Sequence, residues 1–218
     1  SKATTPIPPY YTAFHNTEIE EPEYSVDEAN RVLDEAGYED TDGDGFRETP
    51  EGEPLDINFA AIAGGSTAEP LANYYMQQWR EVGLNVELLD GRLIEYNAFY
   101  DMLEKDDTEI DVFLSGWMFE TDVDPSELYG ENSSYNYTRF ASEENNELLE
   151  RGNSKEALDL DTRIEAYNEW QQMMVDNVTV IPTVYRSGLH PVSNNVVNYG
   201  VEIGFNEETA LYNVGLAE

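Results

Sequence analysis

Between Leu55 and Ser115 the apolar residues switch period from strand-like to helix-like and back, and that alternation limits the chain to one fold class. Leu55, Ile57, Phe59 and Ala61 alternate as a strand, whereas Leu71, Tyr75, Trp79 and Val82 repeat at helical spacing with Gly83 as the stop. Leu84, Val86 and Leu88 make a second strand, and Ile94, Phe99, Met102 and Leu103 a second helix. Ile110–Ser115 is a nearly continuous apolar run, as expected of a strand buried on both faces. Parallel strands joined through helices cross over right-handedly. The expected fold is therefore α/β: a mainly parallel βαβαβ sheet flanked by helices. Such sheets take ligands beyond the carboxyl ends of their strands, which directs attention to the segment Gly116–Tyr137.

The flanks are less regular. Residues 1–24 are rich in Pro and Tyr and read as extended loop. Ser25-Val-Asp-Glu28 has the form of a capping box opening a helix that Gly37 closes. Two further helices are expected near 143–151 and 161–176, then a strand over 178–185. Beyond Tyr185 an irregular tail carries Val196, Val197, Tyr199, Val201, Ile203 and Phe205 with nothing evident to bury them, so disorder or self-association is expected there. A chain of 218 residues with 12% aromatics supports one core, or one domain plus an appendage. It begins on Ser1 with a Pro-rich run, which reads as a fragment whose export signal or membrane anchor lies upstream; no apolar run reaches the length of a transmembrane helix.

Charge sets the next limit. Asp and Glu number 46 against 11 Lys and Arg, a net charge of −35, and the acids are scattered along the chain. Only Lys2, Lys105 and Lys155 carry ammonium groups. Self-repulsion on this scale opposes compaction in dilute buffer and is relieved at molar salt, where screening acts within about 3 Å. The pattern reads as adaptation to high salt; a basic partner surface or several cation sites are the competing readings. Nucleic acid is excluded for want of a basic patch to meet phosphates. With no Cys there is no disulfide, thiolate zinc site or Cys nucleophile. His15 and His190 have no partner at a motif spacing, no Ser sits in a G-x-S-x-G turn, and no Gly-rich phosphate loop follows a strand. The expectation is a protein that is not an enzyme.

Two segments have the residue types that bind. Asp40-Thr-Asp42-Gly-Asp44-Gly45-Phe46-Arg-Glu48-Thr-Pro-Glu51 fills the EF-hand calcium template, with side-chain oxygens from Asp40, Asp42, Asp44, Glu48 and Glu51 and the backbone carbonyl of Phe46. Pro50 and Pro54 lead out towards a strand rather than a second helix, so any Ca2+ would be structural. The indifferent alternative is an Asx turn in an acid-rich chain. The second segment is Gly116-Trp117-Met-Phe-Glu120-Thr-Asp122-Val-Asp124-Pro125, followed by Asn136-Tyr137. An exposed indole beside carboxylates suits a cationic, partly apolar ligand. A core Trp followed by a solvated acidic loop is the alternative.

These residues together resemble the family 5 solute-binding proteins, the peptide- and nickel-type receptors of ABC importers. The resemblance runs from Tyr24-Ser-Val-Asp-Glu-Ala-Asn-Arg31 through Asp-Gly-Asp-Gly-Phe-Arg-Glu48, Gly-Trp117, Asp124-Pro125 and Asn136-Tyr137. It continues through Arg163-Ile-Glu-Ala-Tyr167 and Gln171 to Ile-Pro182-Thr-Val-Tyr185. It implies a periplasmic-binding-protein-like lobe, an extracellular receptor, and a peptide or small solute held between this lobe and a missing N-terminal one. The ABC permease subunits would be its partners. Residues 1–185 would be the second lobe and 186–218 a tail crossing to the first. It further implies that Trp117, Glu120, Asp122, Asp124, Asn136 and Tyr137 line the ligand site, with either Glu120 or Asp122 pairing with a ligand amine. One extra residue between Trp117 and Pro125 leaves both open. The alternative from another class is an extracellular calcium-dependent structural or adhesion module.

The charge generates the first prediction. The thermal midpoint should climb steeply between 0.1 and about 3 M KCl, with loss of compactness below about 0.5 M; a midpoint flat across that range would remove salt adaptation as the reason for the acidity.

Overall fold

The computed structural model describes residues 1–20, 23–105, 109–119, 122–187, 191–199 and 214–217. They form two compact units: Pro22–Trp117, continuous in sequence, and a second assembled from Ser1–Glu21 and Met118–Glu218. Chain length suggests one core, or one domain plus an appendage; each unit has a core of its own.

Pro22–Trp117 contains the alternating pattern. Strands β1 (Asp56–Ala61), β2 (Asn85–Leu88) and β3 (Val112–Leu114) are parallel, in the order β2-β1-β3, with α2 (Ala68–Arg80) and α3 (Tyr96–Glu104) as the crossovers. Ile57 stands opposite Val86, and Phe59 opposite Leu88 on one side and Val112 on the other. The buried Phe59 ring meets Trp79 edge-on at 5.3 Å and Tyr75 at 6.5 Å, so the helical stripe expected of α2 is what covers the central strand. The apolar run at 110–115 is not buried on both faces. It shortens to β3, whose Val112 is 36% exposed, because among the described residues β3 is at the edge of the sheet and β1 takes the centre.

Helix α1 (Val26–Glu35) precedes this sheet and buries none of its residues fully. Ser25 Oγ accepts from the Glu28 N–H at 3.1 Å, but the returning half of the capping box gives way to an ion pair: the Glu28 carboxylate takes Arg31 Nε at 2.8 Å. What ties α1 down is Arg47. Its Nη1 donates to Asp34 Oδ1 at 2.6 Å and to the Tyr38 carbonyl, its Nη2 to Asn30 Oδ1 at 2.7 Å, and its Nε to the Val82 carbonyl at 2.7 Å. The side chain is only 10% exposed. Gly83, at φ +78°, makes room for it: a Cβ there would lie 3.1 Å from Arg47 Cγ.

The second unit is helical, built of α4 (Ser126–Tyr129), α5 (Glu143–Gly152) and α6 (Leu160–Asp176). Its core joins Tyr129, Leu148, Leu149, Tyr167, Trp170, Met173 and Met174 with Ile7 and Tyr11. Residues 1–20, expected to be loose loop, are therefore partly core. The buried amides of Asn145 and Gln171 both find partners. Asn145 Nδ2 donates to the Tyr129 carbonyl at 2.8 Å and its Oδ1 accepts from Trp170 Nε1 at 3.0 Å. Gln171 Oε1 accepts from Thr5 Oγ1 at 2.8 Å while its Nε2 donates to the Phe14 carbonyl at 2.8 Å. The strand expected over 178–185 is absent. Val178 turns at φ 51°, and what survives is an isolated antiparallel bridge of Val184 with Lys2, beside an Ala3 N–H to Thr183 carbonyl bond of 3.1 Å. In the tail, β4 (Val196–Val197) pairs antiparallel with β5 (Gly215–Leu216); Val201, Ile203 and Phe205 lie outside the described residues.

Arg47 gives the second prediction. Arg47→Ala strands acceptors on α1 and at the end of α2 and should lower unfolding free energy by about 2–4 kcal/mol. Arg47→Lys should recover only part of this, since a compact ammonium cannot reproduce the guanidinium fork. Denaturant titration at high salt measures both, and a loss under about 0.5 kcal/mol would mark Arg47 as an ordinary surface residue.

Candidate functional site

The division between units falls between Trp117 and Met118, so Trp117 belongs to one and Asp122, Asp124, Asn136 and Tyr137 to the other. Trp117 follows the carboxyl end of β3 and is 39% exposed. Glu120 lies outside the described residues.

Asp122 and Asp124 open a turn that leads into α4, and each carboxylate has partners. Asp122 accepts from the Val123 N–H at 2.8 Å, and Arg163 Nη2 sits 2.8 Å from its Oδ1 and 2.9 Å from its Oδ2. The hydrogen bond from Arg163 holds the Asp122 carboxyl below the usual carboxylate range, against the upward push of partial burial. Asp124 Oδ1 accepts from the Ser126 N–H at 2.9 Å and from Asn153 Nδ2 at 2.8 Å.

Arg163 is the centre of this arrangement. Its guanidinium carbon stands 5.5 Å from the Phe14 ring centroid and 5.2 Å from that of Tyr167, and its Nε donates to the Gly152 carbonyl at 3.1 Å. Tyr167 closes the circuit: its hydroxyl donates to Asn153 Oδ1 at 3.4 Å and accepts from Arg163 Nη2 at 3.3 Å. Burial pushes the Tyr167 phenol up to about 12, so it stays protonated and remains a donor. Gly152 permits the close approach of α5 to α6 here, since a Cβ on it would fall 2.1 Å from Tyr167 Cε1. Asp122 and Asp124 are thus linked through Arg163, Tyr167 and Asn153.

Asn136 has a different place. It is buried, its Nδ2 donates to the Phe140 carbonyl at 2.9 Å, and its Oδ1 accepts from Thr138 Oγ1 at 2.8 Å. These bonds use its amide to hold the 133–140 loop. Tyr137 is half-buried with its ring edge-on to Tyr135 at 6.2 Å. Sequence reasoning gave no role to Arg163, Tyr167, Asn153 or Phe14. The available signal was the rarity of cations: an Arg one helical turn before a Tyr, in a chain with so few, has a partner to serve.

The acidic loop closes as a turn-rich segment leading into β1, with no second helix. Asp40 accepts from the N–H groups of Gly43 at 2.7 Å and Gly45 at 3.0 Å, and Glu48 from the N–H and hydroxyl of Thr41, each at 2.7 Å. Carboxylate oxygens of Asp40, Asp42, Asp44 and Glu48 all lie within 4.8 Å of one another. Glu51, expected as the last ligand, is exposed in the next turn and is not in that group. Grooves of about 530 Å3 on α6, lined by Asp161, Thr162, Ile164, Glu165, Asn168 and Glu169, and of about 350 Å3 on α2 include none of the expected site residues.

Residues 1–139 match the Bacterial extracellular solute-binding proteins, family 5 Middle. The chain belongs to this family. The oligopeptide-binding protein OppA of Lactococcus lactis subsp. lactis (strain IL1403) is 29% identical over 201 residues, which cover 91% of this chain and 33% of that protein. The oligopeptide-binding protein AppA of Bacillus subtilis is 23% identical over 154 residues, covering 69% and 27%. The chain thus spans about a third of the length of the curated relatives it matches. Lactococcal OppA, solved with an endogenous peptide in the closed conformation, superposes with a TM-score of 0.88 at 26% identity over 99% of this chain and 40% of that one. A mannohexaose-bound oligopeptide-binding protein of Thermotoga maritima shares the fold, with a TM-score of 0.73 at 22% identity, 99% of this chain and 44% of that one. Among the described residues no helix is long and apolar enough to cross a membrane.

Proposed function

We propose that this chain is part of the extracellular substrate-binding component of an ABC importer. The receptor captures a peptide or similar small solute and delivers it to the permease. The observation that carries this is the relation to OppA along nearly the whole chain, in sequence and in fold together. On this reading residues 1–185 are the second lobe, 186–218 run to the first, and the full-length protein is exported and tethered to the cell surface. Trp117 offers apolar stacking area, and a carboxylate of the following segment, Glu120 or Asp122, meets a cationic group of the solute. Full-length protein purified at molar salt, then denatured, should release peptides detectable by mass spectrometry, and should bind a randomised nonapeptide pool. Neither retained peptide nor pool binding would overturn the reading.

We also propose that the acidic loop holds a structural Ca2+. The support is the convergence of Asp40, Asp42, Asp44 and Glu48, oxygen donors of the kind a hard cation selects. Millimolar Ca2+ should raise the thermal midpoint relative to chelator, and Asp42→Asn with Asp44→Asn should abolish the rise. Equal midpoints with and without Ca2+ in the wild type would leave the loop as a set of Asx turns.

A further inference from the structure

Resting on the receptor reading above, we propose that Arg163 is a specificity-determining positioning residue of the solute site. It presents Asp122 to the solute as the outer half of a neutral ion pair, so that solutes lacking a free ammonium are accepted beside those that carry one.

The two partners are unequal. Asp122 has a side chain 62% exposed, whereas that of Arg163 is 20% exposed. The guanidinium is fixed from behind by Phe14, Tyr167 and the Gly152 carbonyl, so the carboxylate is the half a solute can reach. A single Nη2 contacts both carboxylate oxygens, which sets the orientation of Asp122; Oδ1 also takes the Val123 N–H, and Oδ2 keeps a lone pair for the solute. The charge consequence follows directly. A solute ammonium approaching a lone carboxylate gains a full opposite charge. Approaching this pair, it meets an attraction to Asp122 offset by repulsion from Arg163 a few ångströms behind. An uncharged, acylated amino end loses correspondingly little.

The test is a charge cycle on the full-length protein. The measured quantity is the ratio of affinities for a randomised nonapeptide pool with free and with acetylated amino ends. Arg163→Met leaves one uncompensated negative charge and should raise the preference for free amines about fivefold, the upper range for a solvent-exposed charge. Asp122→Asn leaves one positive charge and should lower it by a similar factor. The double variant, neutral again, should return towards the wild-type ratio because the two opposite shifts cancel, and loss of packing alone gives no shifts of opposite sign. Arg163→Lys keeps the charge and should stay near wild type. If Arg163→Met does not fold, Arg163→Gln, which removes the charge but keeps a donor towards Asp122, takes its place in the cycle with the same expected direction. A ratio unmoved by Asp122→Asn, or moved alike by both single variants, overturns the inference while leaving the receptor reading intact. Failure of the wild type to bind either pool overturns the receptor reading, and this inference with it.

Discussion

Arg47 is the contact on which the Pro22–Trp117 unit depends. Three segments meet at its guanidinium: α1, which buries no residue of its own, the acidic loop that contributes Arg47, and the carboxyl end of α2. Apolar burial alone would not hold α1, because the hydrophobic cluster of this unit is centred on Phe59, Ala61, Ala72 and Val86. A cation with five donors can satisfy acceptors from several elements at once. The close contact at Gly83 shows how tightly the backbone follows it. The acidic loop is held by this arginine at one end and by the Glu48–Thr41 bonds at the other, whether or not a cation occupies it.

The other unit repeats the device with Arg163. In both places an arginine sits behind carboxylates rather than among them, and shape as much as charge fixes it: stacking rings for Arg163, a glycine turn for Arg47. In a chain of net charge −35, such centres give acidic turns a defined geometry.

The sequence exposed the periodic parts and hid the non-local ones. The βαβαβ order was legible because Phe59, Tyr75, Trp79 and Val86 obey simple periods. The depth of burial of β3 was not, since an apolar run does not say whether it is a central or an edge strand. Residues 1–20 read as loop because Ile7 and Tyr11 follow no period, yet both are core. Their order comes from partners such as Gln171, more than 160 positions away, which no local pattern reveals. Trp117 and Asp122 were visible as a motif. The Arg163–Tyr167–Asn153 support was not, because it is assembled from two helices. Asn136 was visible by position, but the bonds of its buried amide to Phe140 and Thr138 were not.

The second unit is interrupted in sequence: Ile7 and Tyr11 complete a core whose other buried members lie beyond Met118. Closing that circle means bringing together ends separated by the whole of Pro22–Trp117. The entropy of the excursion falls sharply once the intervening segment is already compact. The contiguous unit is therefore the natural first folder, emerging complete from the ribosome while residues 1–20 wait for α6. Damage to Phe59 or Arg47 would then be felt twice: as instability of its own unit, and as slow assembly of the other, whose two halves it must bring within reach.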